Sequence, residues 1–474
     1  MNIPGKKILI TLALACILVV AAVLLVFKGN RIKELLVPVP GIETSTLKTD
    51  ELQTVTVYHP ADTPEGLVMI ATGTGQDKES DLLARELAAE NLIAVTFDFA
   101  AVRKELASAP ADDECHYMSD DLKDAGEAIL RHLQLKQYFF PVIVGNGDAA
   151  MFAYAALAQA PKNTLAGAVS IGFSKQFRTD RPYCPGAEMK PVSDQASPAE
   201  REYLLGNNEP LPSPWVVISS ASGQAEIDSF QNPLDEANSV VAETAKDQRR
   251  AAIAAIHEME RSGEAGIQSL PVSVIRPEGD AKALIIIISG DGGWRDIDKS
   301  IGENLATKGI AVIGVDSLRY FWARKEPAKI AADLQLLLTE YGKEFHTDNF
   351  ALAGYSFGAN VIPFAWPLLD KPVRKKVKVI SLLGLSPDTE FEISVEGYLG
   401  SSTGASEDVR PLLARLPANK TQCFYGEEEV EDGETACTSP ELDQAERIKT
   451  AGGHHFDGNY DALADSIAAR ILAP

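Results

Sequence analysis

Positive charge is in short supply in this chain. Its 474 residues carry 44 Lys and Arg against 67 Asp and Glu, a formal net charge of −23. The deficit excludes a general nucleic-acid binder, which needs a basic face to meet phosphate. It repels anionic membrane surfaces, attracts cationic substrates or headgroups, and aids solubility. The zinc-protease pattern H-E-x-x-H is missing, so the adjacent His454 and His455 have no accompanying ligand spacing and no metal is expected. Also missing is the Gly-Lys-Ser/Thr ending of a P-loop. The Gly-rich stretch Ser289-Gly290-Asp291-Gly292-Gly293 therefore does not read as a phosphate cradle, and no cofactor is expected. No low-complexity tract stands out.

Cysteine is scarce, with five residues. Setting Cys16 aside leaves Cys115, Cys184, Cys423 and Cys437. An even number in an oxidising compartment suggests two disulfides, and four cysteines allow three connectivities. Cys423 with Cys437 is the local choice, which leaves Cys115 with Cys184. Export is suggested by Ile8 to Phe27, a 20-residue run without a charge. That run is long enough to span a bilayer. Lys6 and Lys7 before it favour a cytoplasmic N-terminus, although Lys28, Arg31 and Lys33 follow it. Residues 1–35 are therefore expected to form a cytoplasmic tip and a signal anchor in the inner membrane. The remainder would be periplasmic. Ala13-Leu14-Ala15-Cys16 offers a weak lipoprotein cleavage box as the alternative.

Apolar residues make up 45% of the chain, ample for sizeable cores. Two stretches read alike. Leu67 to Gly75 is an apolar run ending in a Gly-rich loop, followed by a helical segment from Ser80 and an apolar strand ending at Asp98. Ala283 to Gly293 repeats the plan, with a helix from Lys299 and a strand ending at Asp316. Continuous apolar strands alternating with helices indicate buried parallel sheet. Trp215 to Ser219 reads as a late strand of the first unit, and Ser239 to Arg261 as one Ala-rich, charged helix. Ser262 to Gly266 breaks that helix and marks a boundary. The expected organisation is two tandem α/β-hydrolase-like domains with mainly parallel sheets, residues 36–265 and 266–474.

Within the second unit, Gly354-Tyr355-Ser356-Phe357-Gly358 follows an apolar run and precedes a plausible helix. G-x-S-x-G is expected about 0.15 times by chance in such a chain, so context must decide its meaning. Strand, sharp turn and helix make the context of a nucleophile elbow. Pro363 predicts that the following helix is short or kinked. An acyl-transferring serine needs a base and a carboxylate that orients it, in the chain order Ser, acid, His. Gly452-Gly453-His454-His455 suits the base, with His454 preferred and His455 the alternative. The acid is sought in the run after Gly426, where Glu429 is preferred and Asp432 is the rival. The oxyanion hole would use the N–H of Phe357 and a second N–H near Asp291 or Gly292. Trp294, Arg295, Asp296 and Tyr355 are candidate substrate contacts, with Asp298, Arg319, Tyr320 and Trp322 further out. In the first unit, Gly145-Asn146-Gly147-Asp148-Ala149 occupies the matching place with Gly147 where Ser356 stands, so that unit lacks a nucleophile.

Ser289 to Trp294, Gly354 to Asn360, the Cys423 to Cys437 segment and Gly452 to Phe456 together resemble the VirJ/AcvB family of exported, virulence-associated α/β-hydrolases. The first unit looks like the extra N-terminal domain of the longer, AcvB-like members. The resemblance implies hydrolysis of aminoacyl-phosphatidylglycerol, chiefly lysyl-phosphatidylglycerol, on the periplasmic side of the inner membrane. VirJ-like members are also linked to type IV secretion, which makes secretion-system proteins expected partners. The alternatives are a periplasmic esterase or thioesterase acting on soluble substrates, and a non-catalytic secretion partner that uses the fold as a scaffold.

Overall fold

A computed structural model describes residues 41–73, 78–108, 115–179, 181–184, 189–192, 201–207, 210–263, 267, 270–393 and 406–473. The side chains of residues 105–108, 262–263 and 296 are outside that description, as are Cys16 and the whole expected anchor. No helix among the described residues is long and apolar enough to cross a membrane.

The apolar runs of the first half form an eight-stranded sheet. Its strands are β1 (Ile42–Thr49), β2 (Gln53–Pro60), β3 (Gly66–Thr72), β4 (Leu92–Asp98), β5 (Val142–Asn146), β6 (Gly167–Ile171), β7 (Trp215–Ser219) and β8 (Ala237–Val241). Their spatial order is β1-β2-β4-β3-β5-β6-β7-β8. β2 runs antiparallel to β1 and β4, and the rest are parallel. Every residue of β3 is buried, as a strand covered on both faces requires. A small three-stranded sheet (Gln176–Thr179, Met189–Pro191, Arg201–Leu205) fills the excursion between β6 and β7.

The second half repeats this plan without a β1 counterpart among the described residues. Its strands are β9 (Val272–Ile275), β10 (Ala283–Ile288), β11 (Ile310–Val315), β12 (Phe350–Tyr355), β13 (Val377–Leu383), β14 (Thr421–Gly426) and β15 (Glu446–Thr450). They lie in the order β9-β11-β10-β12-β13-β14-β15, with only β9 antiparallel to its neighbour. Both halves thus have α/β-hydrolase-like folds with mainly parallel sheets. The helices that cover the sheets include α1 (Lys78–Ala89), α2 (Met118–His132), α3 (Ala150–Gln159) and α4 (Ala245–Gly263). In the second half they include α5 (Asp296–Thr307), α6 (Pro327–Glu344), α7 (Phe357–Ala365), α8 (Glu427–Glu431) and α9 (Tyr460–Ile471).

One sequence expectation is corrected here. The helix read from Ser239 begins only at Ala245, because residues 237–241 form β8, the edge strand beside β7. Val240 and Val241 are exposed on that edge, and β-branched residues favour a pleated strand. The charged, Ala-rich part that follows does form the helix. Both disulfides pair as expected: Cys423 with Cys437, 14 positions apart, and Cys115 with Cys184, 69 apart.

The halves are joined by specific contacts. Trp322 of the second half enters the apolar cluster of the first and donates from Nε1 to the Leu135 carbonyl at 3.0 Å. Arg131 lies over its ring at 4.9 Å, and Tyr138 meets it edge-on at 5.6 Å. Arg319 donates to the Asn163 carbonyl at 3.1 Å, and the Asn163 amide donates back to the Val272 carbonyl at 3.2 Å.

Candidate active site

The site is built at the C-terminal edge of the second sheet, where open α/β sheets present their ligands. β12 ends at Tyr355 and α7 begins at Phe357, so one residue makes the whole turn. That residue is Ser356, with φ 52° and ψ −117°. This is a sparsely populated conformation for a side chain with a Cβ, typical of strain held at functional sites. The turn closes only because its neighbours are small. A Cβ on Gly354 would lie 2.4 Å from the Gly358 carbonyl, and one on Gly358 would lie 2.1 Å from the Ile288 carbonyl oxygen. α7 runs nine residues, passes through Pro363 and ends two residues later. That is the short helix Pro363 predicts.

His454 comes from the loop between β15 and α9. Gly452, with φ 80°, lets the loop double back, and the Phe456 N–H donates to the Gly453 carbonyl at 2.9 Å. Phe456 is buried as the anchor of the loop. Tyr355 holds it from the other side. Its hydroxyl donates to the His454 carbonyl at 3.3 Å, and its ring centre lies 5.4 Å from the imidazole. Burial, reinforced by Asp298 and its neighbours, pushes the Tyr355 phenol up, so it stays a neutral donor.

Glu429 sits in the first turn of α8 and is 2% exposed. Its Oε2 accepts from the Gly426 N–H at 2.7 Å, and its Oε1 lies 2.8 Å from His454 Nδ1. His454 Nε2 lies 2.8 Å from Ser356 Oγ. A carboxylate only accepts, so Nδ1 carries the imidazole proton and Nε2 is left to accept from the serine. The hydrogen-bonded chain Ser356–His454–Glu429 can move the serine proton onto the imidazole as Oγ attacks an electrophile. Asp432, at the far end of α8, and His455 are both exposed and take no part in it. The His455 ring centre is 6.4 Å from that of His454.

The Phe357 N–H starts α7, so it has no carbonyl of its own helix to bond. The loop after β10 comes close: a Cβ on Gly290 would lie 3.7 Å from the Ser356 Cβ. The Gly293 N–H donates to the Gly290 carbonyl at 3.1 Å, which makes Asp291 and Gly292 the centre of a turn. Ser317 fixes the base of the loop, its N–H donating to Ser289 Oγ at 2.9 Å and its own Oγ to the Ser289 carbonyl at 2.7 Å.

The proposed substrate contacts divide differently. Trp294 is half-buried and packs against Gly314 and Gly302, because a Cβ at Gly314 would fall 2.4 Å from its ring. Arg295 is exposed beside Gly292. The Asp296 side chain lies outside the described residues, while Asp298 is buried. Trp294 and Arg295 line a cleft of about 900 Å³ between the halves, together with Lys123, Asp124 and Lys299. Ser356 and His454 are not among its lining residues. Arg319 and Trp322 make the contacts between the halves described above, and Arg319 also lines this cleft. The Tyr320 hydroxyl donates to Asp333 at 2.5 Å. The sequence reading missed the Gly426 N–H, which holds Glu429, and Gly384, which faces the imidazole: a Cβ there would lie 2.9 Å from its Cε1. A glycine at the strand end, Gly426 as the last residue of β14 and Gly384 just past β13, was the available signal.

The first half keeps the turn without the serine. Gly147 has φ 58°, and a Cβ on Gly145 would lie 2.0 Å from the Ala149 carbonyl oxygen, as at Gly354. Between β8 and α4, where His454 stands in the other half, there is no histidine.

Residues 282–473 match the family described as bacterial virulence protein (VirJ). The second half is a VirJ-family domain. No curated protein matches the chain. Several solved structures resemble it over 43% of its length. Est1E from Butyrivibrio proteoclasticus with bound ferulic acid does so at 12% identity and TM-score 0.30, over 94% of that chain. A dienelactone hydrolase from Anabaena variabilis does so at 15% and 0.31, over 91%. A putative thioesterase from Silicibacter sp. does so at 20% and 0.28, over 80%. In the VirJ-family domain the elbow, the His454 loop and the acid loop all lie inside the matched residues.

Proposed function

We propose that this protein is a serine carboxylic-ester hydrolase that cleaves the aminoacyl ester of aminoacyl-phosphatidylglycerol, chiefly lysyl-phosphatidylglycerol. The observation that carries the ester hydrolase is the continuous hydrogen-bonded chain from Ser356 Oγ through His454 to Glu429. The lipid rests on the VirJ resemblance and on charge: a chain of −23 attracts a lysyl headgroup. His454 Nε2 takes the Ser356 proton as Oγ bonds to the ester carbonyl carbon. The N–H groups of Phe357 and of the Asp291–Gly292 turn stabilise the carbonyl oxygen as it becomes negative. The carbon–oxygen bond to the lipid glycerol then breaks, and the departing oxygen takes the proton from His454. Water repeats the sequence in reverse. It gives its proton to His454, attacks the seryl ester, and releases the amino acid and free Ser356. Anchoring by residues 8–27 would hold this chemistry at the periplasmic face of the inner membrane.

The test is thin-layer analysis of lipids from cells that make lysyl-phosphatidylglycerol and express either wild-type or Ser356→Ala protein. Wild type should deplete the lipid and the variant should leave it. Equal depletion by both would sink the proposal. Cleavage of soluble esters with no change in the lipid would move the activity to a soluble substrate.

A further inference from the structure

At the opposite edge of the second sheet lies a concentration of positive charge that the proposed chemistry does not use. The short helix Lys371–Lys376 leads directly into β13, and Lys420 leads directly into β14. Both strands are parallel to β12, so this edge is the one away from Ser356, roughly 20 Å off along a seven-residue strand. Lys371, Lys375, Lys378 and Arg415 are exposed, and none has an ion-pair partner among the described residues. Lys376 alone of this group is neutralised, by Asp348 at 2.6 Å. Asp370 is occupied by the Gln335 amide at 2.8 Å. In a chain of net charge −23, an unneutralised basic patch of this size is not a by-product of composition.

Helix electrostatics do not account for it. Cations in the last turn, such as Lys375, suit the negative end of the helix dipole. Lys371, however, opens the helix, where the dipole disfavours it, and Lys378 and Arg415 belong to other elements. Lys371, Arg374, Lys375, Arg415 and Lys420 line a groove of about 400 Å³ together with Trp366, Leu416 and Pro417, with Lys378 outside it. Arg374 lies over the Trp366 ring at 6.0 Å, and its Nε is buried without a hydrogen-bond acceptor. Lys420 Nζ donates to the Val377 carbonyl at 2.6 Å, and burial and the like charge of Lys378 push its pKa down. Leu368, 52% exposed, stands nearby in sequence and is the most exposed large apolar side chain among the described residues.

We propose that this groove docks an acidic, extended segment of a partner protein, with carboxylates on the basic rim and an apolar side chain against Trp366 and Leu416. A concave site with aromatic and aliphatic lining suits a chain segment that inserts side chains. A flat anionic bilayer would reach the rim lysines but not Arg374 over its tryptophan. The partner binds at the edge away from Ser356, so docking leaves hydrolysis open and localises the enzyme.

The test uses the full chain and a fluorescein-labelled dodecapeptide, Glu-Glu-Leu-Glu-Glu-Phe written twice, with its Gln-for-Glu counterpart as control. Anisotropy should show saturable binding of the acidic peptide only, weakening as NaCl is added. The combined variant Lys371→Glu, Lys375→Glu, Arg415→Glu should bind at least about tenfold more weakly. Its hydrolysis of p-nitrophenyl acetate should match wild type, which shows that the fold is intact. A milder Lys371→Gln, Lys375→Gln, Arg415→Gln variant should give an intermediate loss. No saturable binding, binding unchanged in the charge-reversed variant, or equal binding of both peptides would overturn the proposal. So would capture by phosphatidylglycerol vesicles, lost in the variant, without peptide binding; that result would make the patch a membrane contact.

Discussion

Replacing Glu429 by Gln tests the least conspicuous member of the site, and its two hydrogen bonds set the size of the effect. Oε2 accepts from the Gly426 N–H and Oε1 faces His454 Nδ1, so both positions require an acceptor. A glutamine has one acceptor and one donor. If its oxygen serves Gly426, its NH₂ meets Nδ1 and forces the proton onto Nε2, which then cannot accept from Ser356. If its oxygen serves His454, its NH₂ confronts the Gly426 N–H and the first turn of α8 loses a bond of about 1 kcal/mol. The first arrangement keeps the shape and loses the tautomer. The comparable change in serine proteases costs about 10⁴ in kcat. A loss of about 10³–10⁴, or about 4–5.5 kcal/mol of transition-state stabilisation, is therefore expected with KM little changed. Steady-state hydrolysis of p-nitrophenyl acetate measures it, with Asp432→Asn as the control. Asp432 is exposed and outside the chain of bonds, so that variant should stay within about twofold. A Glu429→Gln enzyme within threefold of wild type, or an Asp432→Asn enzyme as impaired as Glu429→Gln, would refute the reasoning.

The remaining predictions concern the frame. Burial, opposed by Lys123 and Arg319, pushes the Glu127 carboxyl up to about 7. Its 3.7 Å contact with Arg319 is too long for a hydrogen bond. A raised carboxyl favours the fold below its ordinary value of 4.5, and that contribution is lost as pH rises to about 7. Glu127→Gln should therefore be near neutral at pH 4.5 and stabilise by about 2–4 kcal/mol at pH 8 in urea unfolding; destabilisation at pH 8 would mean that the Arg319 attraction dominates. Gly147→Ser should fold, at a cost of about 1–2 kcal/mol for its left-handed backbone, and with Ser356→Ala should give no esterase activity, since no histidine faces it. Trp322→Ala empties a site inside the first half's core and should lower stability by about 3–5 kcal/mol in denaturant unfolding while exposing the junction to limited proteolysis. Cys437→Ser should lower the melting temperature, because the crosslink closes a short loop worth about 3 kcal/mol.

Much of the fold could be read from apolar runs. β10 is six apolar residues in a row and reads as a doubly covered strand because nothing else explains such a run in a soluble core. The strand at Ala237–Val241 could not be read this way. It is an exposed edge, held by its pairing with β7, and its polar pattern merges with the helix that follows. Ser356 was legible because the elbow needs glycines at fixed offsets, a demand of local geometry. Glu429 was one of six carboxylates between Glu427 and Glu434, and local pattern gave no means of ranking them beyond distance from Gly426. Arg319 and Trp322 were ambiguous for the opposite reason. An arginine and a tryptophan past a strand end suit a binding loop and a docking surface equally, and only the neighbouring half distinguishes them.

The sequence by itself determined the sheet-forming runs, the strained serine turn and its glycine-for-serine counterpart, the pair of halves, and the negative charge. Those are local or additive properties, set by periodicity, steric allowance and residue counts. Tertiary structure alone decided which carboxylate meets His454, which side chains join the halves, and that Arg415 and Lys420 join the basic run of residues 371–378 at the edge away from Ser356. Each of these depends on residues far apart in the chain being brought within a few ångströms, 98 positions for Ser356 and His454, which no local pattern encodes.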